Sequence, residues 1–134
     1  WMLRWYGNDQ RRLEQGLVAI VRSPDQRTPQ LVDAVLAEAQ RESAFVHFEQ
    51  WQRDQSGLLR LKTDYTDRLA EFPVPALVVH GDRDTGVPVS CAEAAAGLIP
   101  DSRLLVVTGA GHWVQRDRPD AVTPAVLRFL DAVR

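Results

Sequence analysis

The stretch Ala76-Leu-Val-Val-His-Gly-Asp-Arg-Asp-Thr-Gly-Val-Pro88 decides the fold of this chain. Its first four residues, Ala76–Val79, form a short apolar run rich in β-branched side chains, which predicts a buried strand. The chain is expected to turn at Gly81, and two carboxylates, Asp82 and Asp84, follow at once. Because open α/β sheets bind ligands at the carboxyl ends of their strands, these acids are candidates for a functional site.

A second apolar run repeats this arrangement further along the chain. Arg103–Val107 predicts another strand, and it leads directly into a glycine-containing turn that ends with His112 and Trp113. A helix is predicted between the two strands, so the unit is a strand–helix–strand crossover with parallel strands. Both strand ends then lie at one edge of the sheet, and Asp84 and His112 are expected to meet there.

At these residues the chain resembles the C-terminal part of an α/β-hydrolase. The stretch Gly81–Pro88 is similar to the acid loop of that family, in which the acid stands four residues before the proline. The stretch Gly109–Trp113 is similar to its histidine loop. The resemblance covers about residues 72–134 and implies an α/β fold in which Asp84 is the acid and His112 the base of a catalytic triad.

The resemblance also implies the chemistry of these residues. In such a triad the histidine takes the proton of the nucleophile and later returns it, while the acid fixes the tautomer of the imidazole. Trp113, next to His112, is the candidate substrate-binding residue. Asp82 is the alternative acid and is otherwise expected to brace the loop or to pair with Arg83. His80, at the end of a strand, is expected to serve in packing.

The nucleophile of the family is missing from this sequence. The family order is Ser, acid, His, with the serine in a Gly-x-Ser-x-Gly elbow. None of the five serines has a glycine two residues away on both sides; they are Ser23, Ser43, Ser56, Ser90 and Ser102. We therefore expect the chain to supply an acid and a base but no nucleophile, and to be inactive alone. The start at Trp1-Met-Leu-Arg-Trp5 indicates the middle of a longer chain.

Composition excludes several classes of function. The 134 residues, 45% hydrophobic and 25% charged, are typical of a globular domain. A net charge of −2 argues against a nucleic-acid partner or an anionic membrane surface. The single cysteine, Cys91, excludes an internal disulfide and favours a reducing compartment, so a cytoplasmic location is predicted. No metal-ligand cluster is apparent beyond the acidic pair near a histidine, and no metal or cofactor is expected.

The helical pattern divides the chain into two parts. Residues 1–70 are predicted to form a helical, cap-like segment without strands, and residues 71–134 the C-terminal part of the hydrolase core. The predicted helices run from a cap at Asn8 to about Arg22, from a cap at Thr28, from Ser43 to about Gln55, near residues 66–69, from a capping box of Ser90 and Glu93, and from Pro119 or Thr123 to Val133.

Three functions remain open on sequence alone. The first is the C-terminal portion of a serine hydrolase that acts on an ester, lactone or similar small acyl substrate. The second is a non-catalytic domain of the same fold that serves binding or assembly, and the third is an unrelated strand–helix–strand domain. Because two predicted strands leave apolar edges open, we expect the missing N-terminal portion, a companion chain or a swapped copy as partner.

Overall fold

The computed structural model describes residues 10–39, 41, 44–57 and 62–134, and of residues 10 and 44–49 it describes only the backbone. The chain forms two compact units. The first comprises the described parts of Trp1–Leu17 and Arg27–Tyr65, and the second comprises Val18–Gln26 and Thr66–Arg134. The domain boundary near residue 70 stays a prediction.

The described part of the first unit is helical. Helix α1 (Gln10–Ile20) starts in this unit and ends in the second, and it is followed by helices α2 (Pro29–Ala39) and α3 (Ala44–Gln55). Thr28 caps α2 as predicted, because its Oγ1 accepts the N–H of Leu31 at 3.3 Å. The predicted helix cap at Asn8 and the predicted helix start at Ser43 lie outside the described residues.

The second unit contains the predicted strand–helix–strand arrangement. Strand β1 (Ala76–Gly81), helix α4 (Val89–Leu98) and strand β2 (Ser102–Val107) follow each other, and α4 packs against both strands. The strands are parallel, with a register that pairs Ala76 with Ser102 and Gly81 with Val107. The two strands therefore end level with each other, and the acid loop (residues 81–88) and the histidine loop (residues 109–113) start side by side.

The remaining elements of this unit are helical. A 3₁₀ turn covers Pro24–Gln26 after α1, and another covers Thr66–Glu71, where a helix was predicted near residues 66–69. The sequence did not predict helix α5 (Val114–Asp117), a single turn directly after the histidine loop. Helix α6 (Pro119–Ala132) begins at the earlier of its two predicted starts, with Pro119 at the first helical position.

The predicted capping box of α4 is wrong. The helix begins at Val89, its N-cap is Pro88, and no side chain caps it. Pro88 has the extended conformation of an N-cap residue, with φ −62° and ψ 143°. Ser90 therefore lies inside the first turn, where its side chain is not in the N-cap position that a capping box requires.

The core of the second unit lies under the ends of the strands. Its buried residues are apolar and come from β2, the histidine loop, α5 and α6: Val107, Ala110, Val114 and Val122. The strands themselves are less buried than their apolar sequence predicts. Residues 76–80 of β1 are only half-buried, and Leu104 and Val106 of β2 are 39% and 37% exposed. The reason is that the sheet of the described chain has two strands. No helix in the described ranges is long and apolar enough to cross a bilayer.

Gly81 allows the two loops to approach each other. A side chain there would collide with backbone atoms of the histidine loop, the carbonyl oxygens of Ala110 and Gly111. The backbone N–H of Arg83 donates to the Ala110 oxygen at 2.9 Å, and this bond holds the approach. A residue with a Cβ atom at position 81 would therefore force the acid loop and the histidine loop apart.

Gly81→Ala is expected to lower the free energy of unfolding by about 1–3 kcal/mol, because the new methyl group overlaps backbone that cannot rotate away. The matched control is Gly97→Ala in α4, where a Cβ atom meets nothing within 4 Å. This control should stabilise the helix by up to about 1 kcal/mol. Chemical denaturation of both variants measures the difference, and equal effects of the two substitutions would contradict the interpretation.

Candidate active site

The acid loop and the histidine loop bring Asp84 and His112 together. The Nδ1 atom of His112 lies 2.8 Å from Oδ2 of Asp84, a short distance for a hydrogen bond to a carboxylate. The side chain of Asp84 is 4% exposed and that of His112 is 50% exposed. The predicted proximity of the two residues is confirmed, while their catalytic roles stay predictions.

The other oxygen of Asp84 is held by its own loop. Its Oδ1 accepts the backbone N–H of Gly86 at 2.7 Å and that of Val87 at 3.1 Å. Burial alone would raise the pKa of Asp84, but the hydrogen bond with His112, these two N–H groups and the charge of a protonated His112 together lower it below its ordinary value. Asp84 is therefore a carboxylate at neutral pH, with a fixed orientation.

This carboxylate determines the tautomer of His112. An ionised carboxylate only accepts hydrogen bonds, so Nδ1 of the ring carries the proton and donates it to Asp84. In the neutral ring Nε2 then has a lone pair. Within the described residues Nε2 forms no hydrogen bond, and the half-exposed ring is open to solvent. The arrangement is that of a general base whose second nitrogen is held by an acid.

Among the described residues no hydrogen bond joins Asp82 to the imidazole. Its Oδ1 accepts the backbone N–H of Gly109 at 2.7 Å, at the start of the histidine loop. Gly109 has a φ of 81°, a conformation that favours glycine. The geometry therefore assigns the acid position beside His112 to Asp84. Asp82 instead links the acid loop to the histidine loop, which agrees with the alternative prediction that it braces its loop.

His80 lies closer to the site than the sequence predicts. Its Nδ1 is 2.9 Å from the carbonyl oxygen of Gly81, to which it donates, and its Nε2 is 3.8 Å from Oδ2 of Asp84. The second distance is too long for a hydrogen bond. His80 is thus a neighbour of the acid, with a side chain that is 13% exposed, rather than only a packing residue. The signal in the sequence that could have indicated this proximity is the spacing of four residues between His80 and Asp84.

Trp113 lines a cleft that is separate from the Asp84–His112 pair. The cleft is open, has a volume of about 480 Å³, and is lined by Gln26, Trp113, Gln115, Arg116 and Pro119. Neither Asp84 nor His112 is among these residues. The role of Trp113 in substrate binding stays a prediction.

Asp117 is a further residue that sequence reasoning missed. It is 3% exposed and accepts the N–H of Gly111, the residue before His112, at 2.6 Å. No serine hydroxyl or cysteine thiol bonds to His112 within the described chain, and the described residues contain no cluster of three or more potential metal ligands. The site thus presents a base and its acid.

The chain was compared with known proteins. Residues 35–133 match the family described as TAP-like protein. The chain is 38% identical over 87 residues to a 2-hydroxy-6-oxo-6-(2'-aminophenyl)hexa-2,4-dienoic acid hydrolase of Metapseudomonas resinovorans; the match covers 65% of this chain and 29% of that protein. It is 36% identical over 80 residues to a pimeloyl-[acyl-carrier protein] methyl ester esterase of Xanthomonas oryzae pv. oryzae, which covers 59% of this chain and 32% of that protein.

The solved structures give the same fold. A serine hydrolase involved in carbazole degradation superimposes with a TM-score of 0.78 and 27% identity, covering 92% of this chain and 48% of that one. The predicted fold class is therefore confirmed: the chain has the fold of the C-terminal part of the α/β-hydrolases. The chain spans about half the length of this solved relative and about 30% of the two curated sequences.

Asp84→Asn is expected to lower the free energy of unfolding by about 1–3 kcal/mol at neutral pH, because it removes a charge-assisted hydrogen bond. The pKa of Asp84 is lowered in the folded chain. The contribution of the carboxylate is therefore present above its ordinary pKa and is lost as the pH falls through the lowered pKa. Chemical denaturation at about pH 7 and about pH 2 should show that the difference between native chain and variant shrinks in acid.

The control for this experiment is Asp131→Asn. Asp131 is an exposed carboxylate on α6, 3.6 Å from the guanidinium of Arg134. Such surface pairs contribute little, so this variant should change the free energy of unfolding by no more than about 0.5 kcal/mol. A deficit of Asp84→Asn that is the same at both pH values would contradict the ionised state assigned to Asp84.

Proposed function

The chain belongs to the family described as TAP-like protein, within the α/β-hydrolase fold, and we propose that it is the C-terminal portion of a serine hydrolase in which Asp84 and His112 are the acid and base of the catalytic triad. One observation carries the proposal. The Asp84 carboxylate is held by two backbone N–H groups and accepts the Nδ1 proton of His112 at 2.8 Å.

In the proposed reaction Nε2 of His112 takes the proton of a serine hydroxyl as the oxygen attacks the carbonyl carbon of the substrate. The resulting imidazolium is stabilised by Asp84 and then gives the proton to the leaving group, which leaves an acyl-enzyme. A water molecule, deprotonated by His112 in the same way, then attacks the acyl-enzyme and releases the carboxylic acid product. The lowered pKa of Asp84 supports this role, because the acid has to remain charged beside the imidazolium.

The nucleophile is proposed to come from outside these 134 residues. The sequence has no Gly-x-Ser-x-Gly elbow. This chain covers about half of the solved serine hydrolase. This supports the proposal that the nucleophile lies in a part of the protein outside these residues. The acid and base alone have no group to activate, so the chain by itself is expected to be inactive.

The proposed substrate is a small molecule with an ester, lactone or similar acyl group. The methyl ester esterase among the relatives supports an ester, and the dienoic acid hydrolase shows that related chains act on a different compound. The substrate is therefore proposed only as a chemical class. Trp113 is proposed to contribute to its binding, since it adjoins His112 and lines a cleft.

The partner is proposed to be the polypeptide that carries the other strands of the sheet, in the same protein, a companion chain or a swapped copy. The exposed apolar side chains of Leu104 and Val106 on β2 support this proposal. In complete α/β sheets both faces of the parallel strands are covered by helices, so such side chains would be buried there. A sheet of two strands also rarely stands alone in water.

The activity is tested with a fluorophosphonate probe, which reacts with activated serines. We expect no labelling of the isolated chain. When the chain is joined to the residues that supply the nucleophile, one serine should be labelled, and Asp84→Asn should lower kcat by about 10³–10⁴-fold. The matched control is Asp82→Asn, which should lower kcat less than about tenfold, because Asp82 bonds to Gly109 and not to the imidazole.

Three results would count against the proposal. The first is labelling of the isolated chain that His112→Ala abolishes, since this would reveal a nucleophile within the chain. The second is a larger effect of Asp82→Asn than of Asp84→Asn. The third is a joined protein that folds and binds an acyl compound without any labelling, which would favour the non-catalytic binding domain.

The partner proposal is tested by sedimentation and thermal unfolding of the 134-residue chain. We expect association that increases with concentration, or a broad unfolding transition. Replacing both Leu104 and Val106 by Glu should reduce association, whereas Val74→Glu, at another exposed apolar position, should not. A monomer at all concentrations with one sharp transition would refute the proposal.

A further inference from the structure

Asp117 is a buried charge outside the Asp84–His112 pair. It lies at the end of helix α5 and is 3% exposed; among the described residues it is the one polar or charged residue that is buried as a whole, backbone included. A carboxylate without partners in such a place would cost several kcal/mol. The partners of Asp117 therefore indicate what it does.

These partners are backbone N–H groups and one hydroxyl. Oδ2 of Asp117 accepts the N–H of Gly111 at 2.6 Å, and Oδ1 accepts the N–H of Ser23 at 2.8 Å. The hydroxyl of Ser23 donates in return to the carbonyl oxygen of Asp117 at 3.1 Å. Burial alone would raise the pKa of Asp117, but donors from Ser23, Gly111 and Arg22 outweigh it and keep the pKa below the ordinary value. The buried group is therefore a carboxylate.

The two residues beside His112 are both held by hydrogen bonds, one to Asp117 and one to the segment 20–23. Gly111 is bound to Asp117, and the N–H of Trp113 donates to the carbonyl oxygen of Ile20 at 3.0 Å. A Cβ atom at Gly111 would lie 2.8 Å from that same oxygen and 2.9 Å from Cγ of Arg22. The histidine loop is thus packed closely against the segment 20–23.

The same segment also contacts the acid loop. Nε of Arg22 donates to the carbonyl oxygen of Arg83 at 3.2 Å, and Arg83 immediately precedes Asp84. Within the segment 20–23, Arg22 therefore bonds to the loop of the acid, Ile20 bonds directly to the loop of the base, and Ser23 bonds to it through Asp117. A shift of this segment or of Asp117 would change the distance between Asp84 and His112.

We propose that Asp117 is a positioning residue: by accepting the N–H groups of Gly111 and Ser23, its buried carboxylate fixes the histidine loop on the segment 20–23 and so holds His112 against Asp84. The value of this for catalysis rests on the function proposed above. The positioning itself rests on the hydrogen bonds and can be tested without a substrate.

The test replaces Asp117 by Asn, which has nearly the same shape. The new amide has one acceptor oxygen and one NH₂ group in place of the two carboxylate oxygens. The NH₂ group then faces one of the two backbone N–H groups, so that hydrogen bond is lost and two donors face each other. We expect the histidine loop to move. The nitrogen-15 spectrum of the His112 ring reports this, because it identifies the proton on Nδ1 that is shared with Asp84; the Asp84→Asn variant assigns that signal.

In folded Asp117→Asn, well below its unfolding temperature, the Nδ1 signal should be lost or should move toward that of Asp84→Asn. The amide hydrogens of Gly111 and Trp113 should exchange at least about tenfold faster. The control is Asp120→Asn, an exposed acid three residues away that pairs with Arg118, which should leave both measurements unchanged. A folded Asp117→Asn with the native signal and native exchange rates would overturn the proposal.

A second variant covers the case in which Asp117→Asn does not fold. Ser23→Ala keeps the N–H bond to Asp117 and removes only the hydroxyl contact. Exchange of the Gly111 amide should then rise about fivefold, while the Nδ1 signal is retained. Unchanged exchange in this variant would overturn the proposal. Because neither measurement requires catalysis, the two proposals fail separately. Loss of the Nδ1 signal in Asp117→Asn, together with no probe labelling of the native chain joined to the residues that supply the nucleophile, would contradict only the proposed function.

Discussion

The hydrogen bond between Asp84 and His112 is the interaction on which the described site depends. Its partners are 28 residues apart in the sequence, and its 2.8 Å distance requires two loops to start at the same height and within reach. Parallel pairing of β1 and β2 meets this requirement, because the register sets Gly81 opposite Val107 at the ends of the strands. The crossover helix α4 packs against both strands and keeps them in this order.

The approach of the loops depends equally on the absence of side chains. Gly81 leaves room for the carbonyl oxygens of Ala110 and Gly111, and Gly111 leaves room for the backbone of the segment 20–23. Interiors are packed as densely as organic crystals, so a single methyl group at either position displaces a whole loop. The apolar core of Val107, Ala110 and Val114 lies directly below and gives these loops a rigid support.

Three carboxylates hold the acid loop and the histidine loop in place. Asp82, in the acid loop, accepts one N–H of the histidine loop, and Asp117, at the end of α5, accepts another. Asp84 binds two N–H groups of its own loop with one oxygen, and the second oxygen remains for the imidazole. Burial tends to raise the pKa of both acids. The hydrogen bond with His112, two backbone N–H groups and the charge of the imidazole more than offset this for Asp84, and the donors of Ser23, Gly111 and Arg22 do so for Asp117. The charge therefore persists where the geometry needs it.

The sequence by itself determined the strand–helix–strand order, the parallel pairing, and the edge of the sheet at which an acid and His112 meet, because short apolar runs and turn residues act locally and a crossover allows few topologies. It also determined the helix cap at Thr28 and limited the start of α6 to Pro119 or Thr123, of which the structure has Pro119. Tertiary structure decided between Asp82 and Asp84, since both acids follow the same strand and only the path of the loop tells which one reaches the ring. It placed Pro88 rather than Ser90 at the start of α4, and it brought Asp117 to Ser23, which is 94 residues away. No local pattern encodes a contact of that kind, because its partners are backbone N–H groups, which every residue except proline carries.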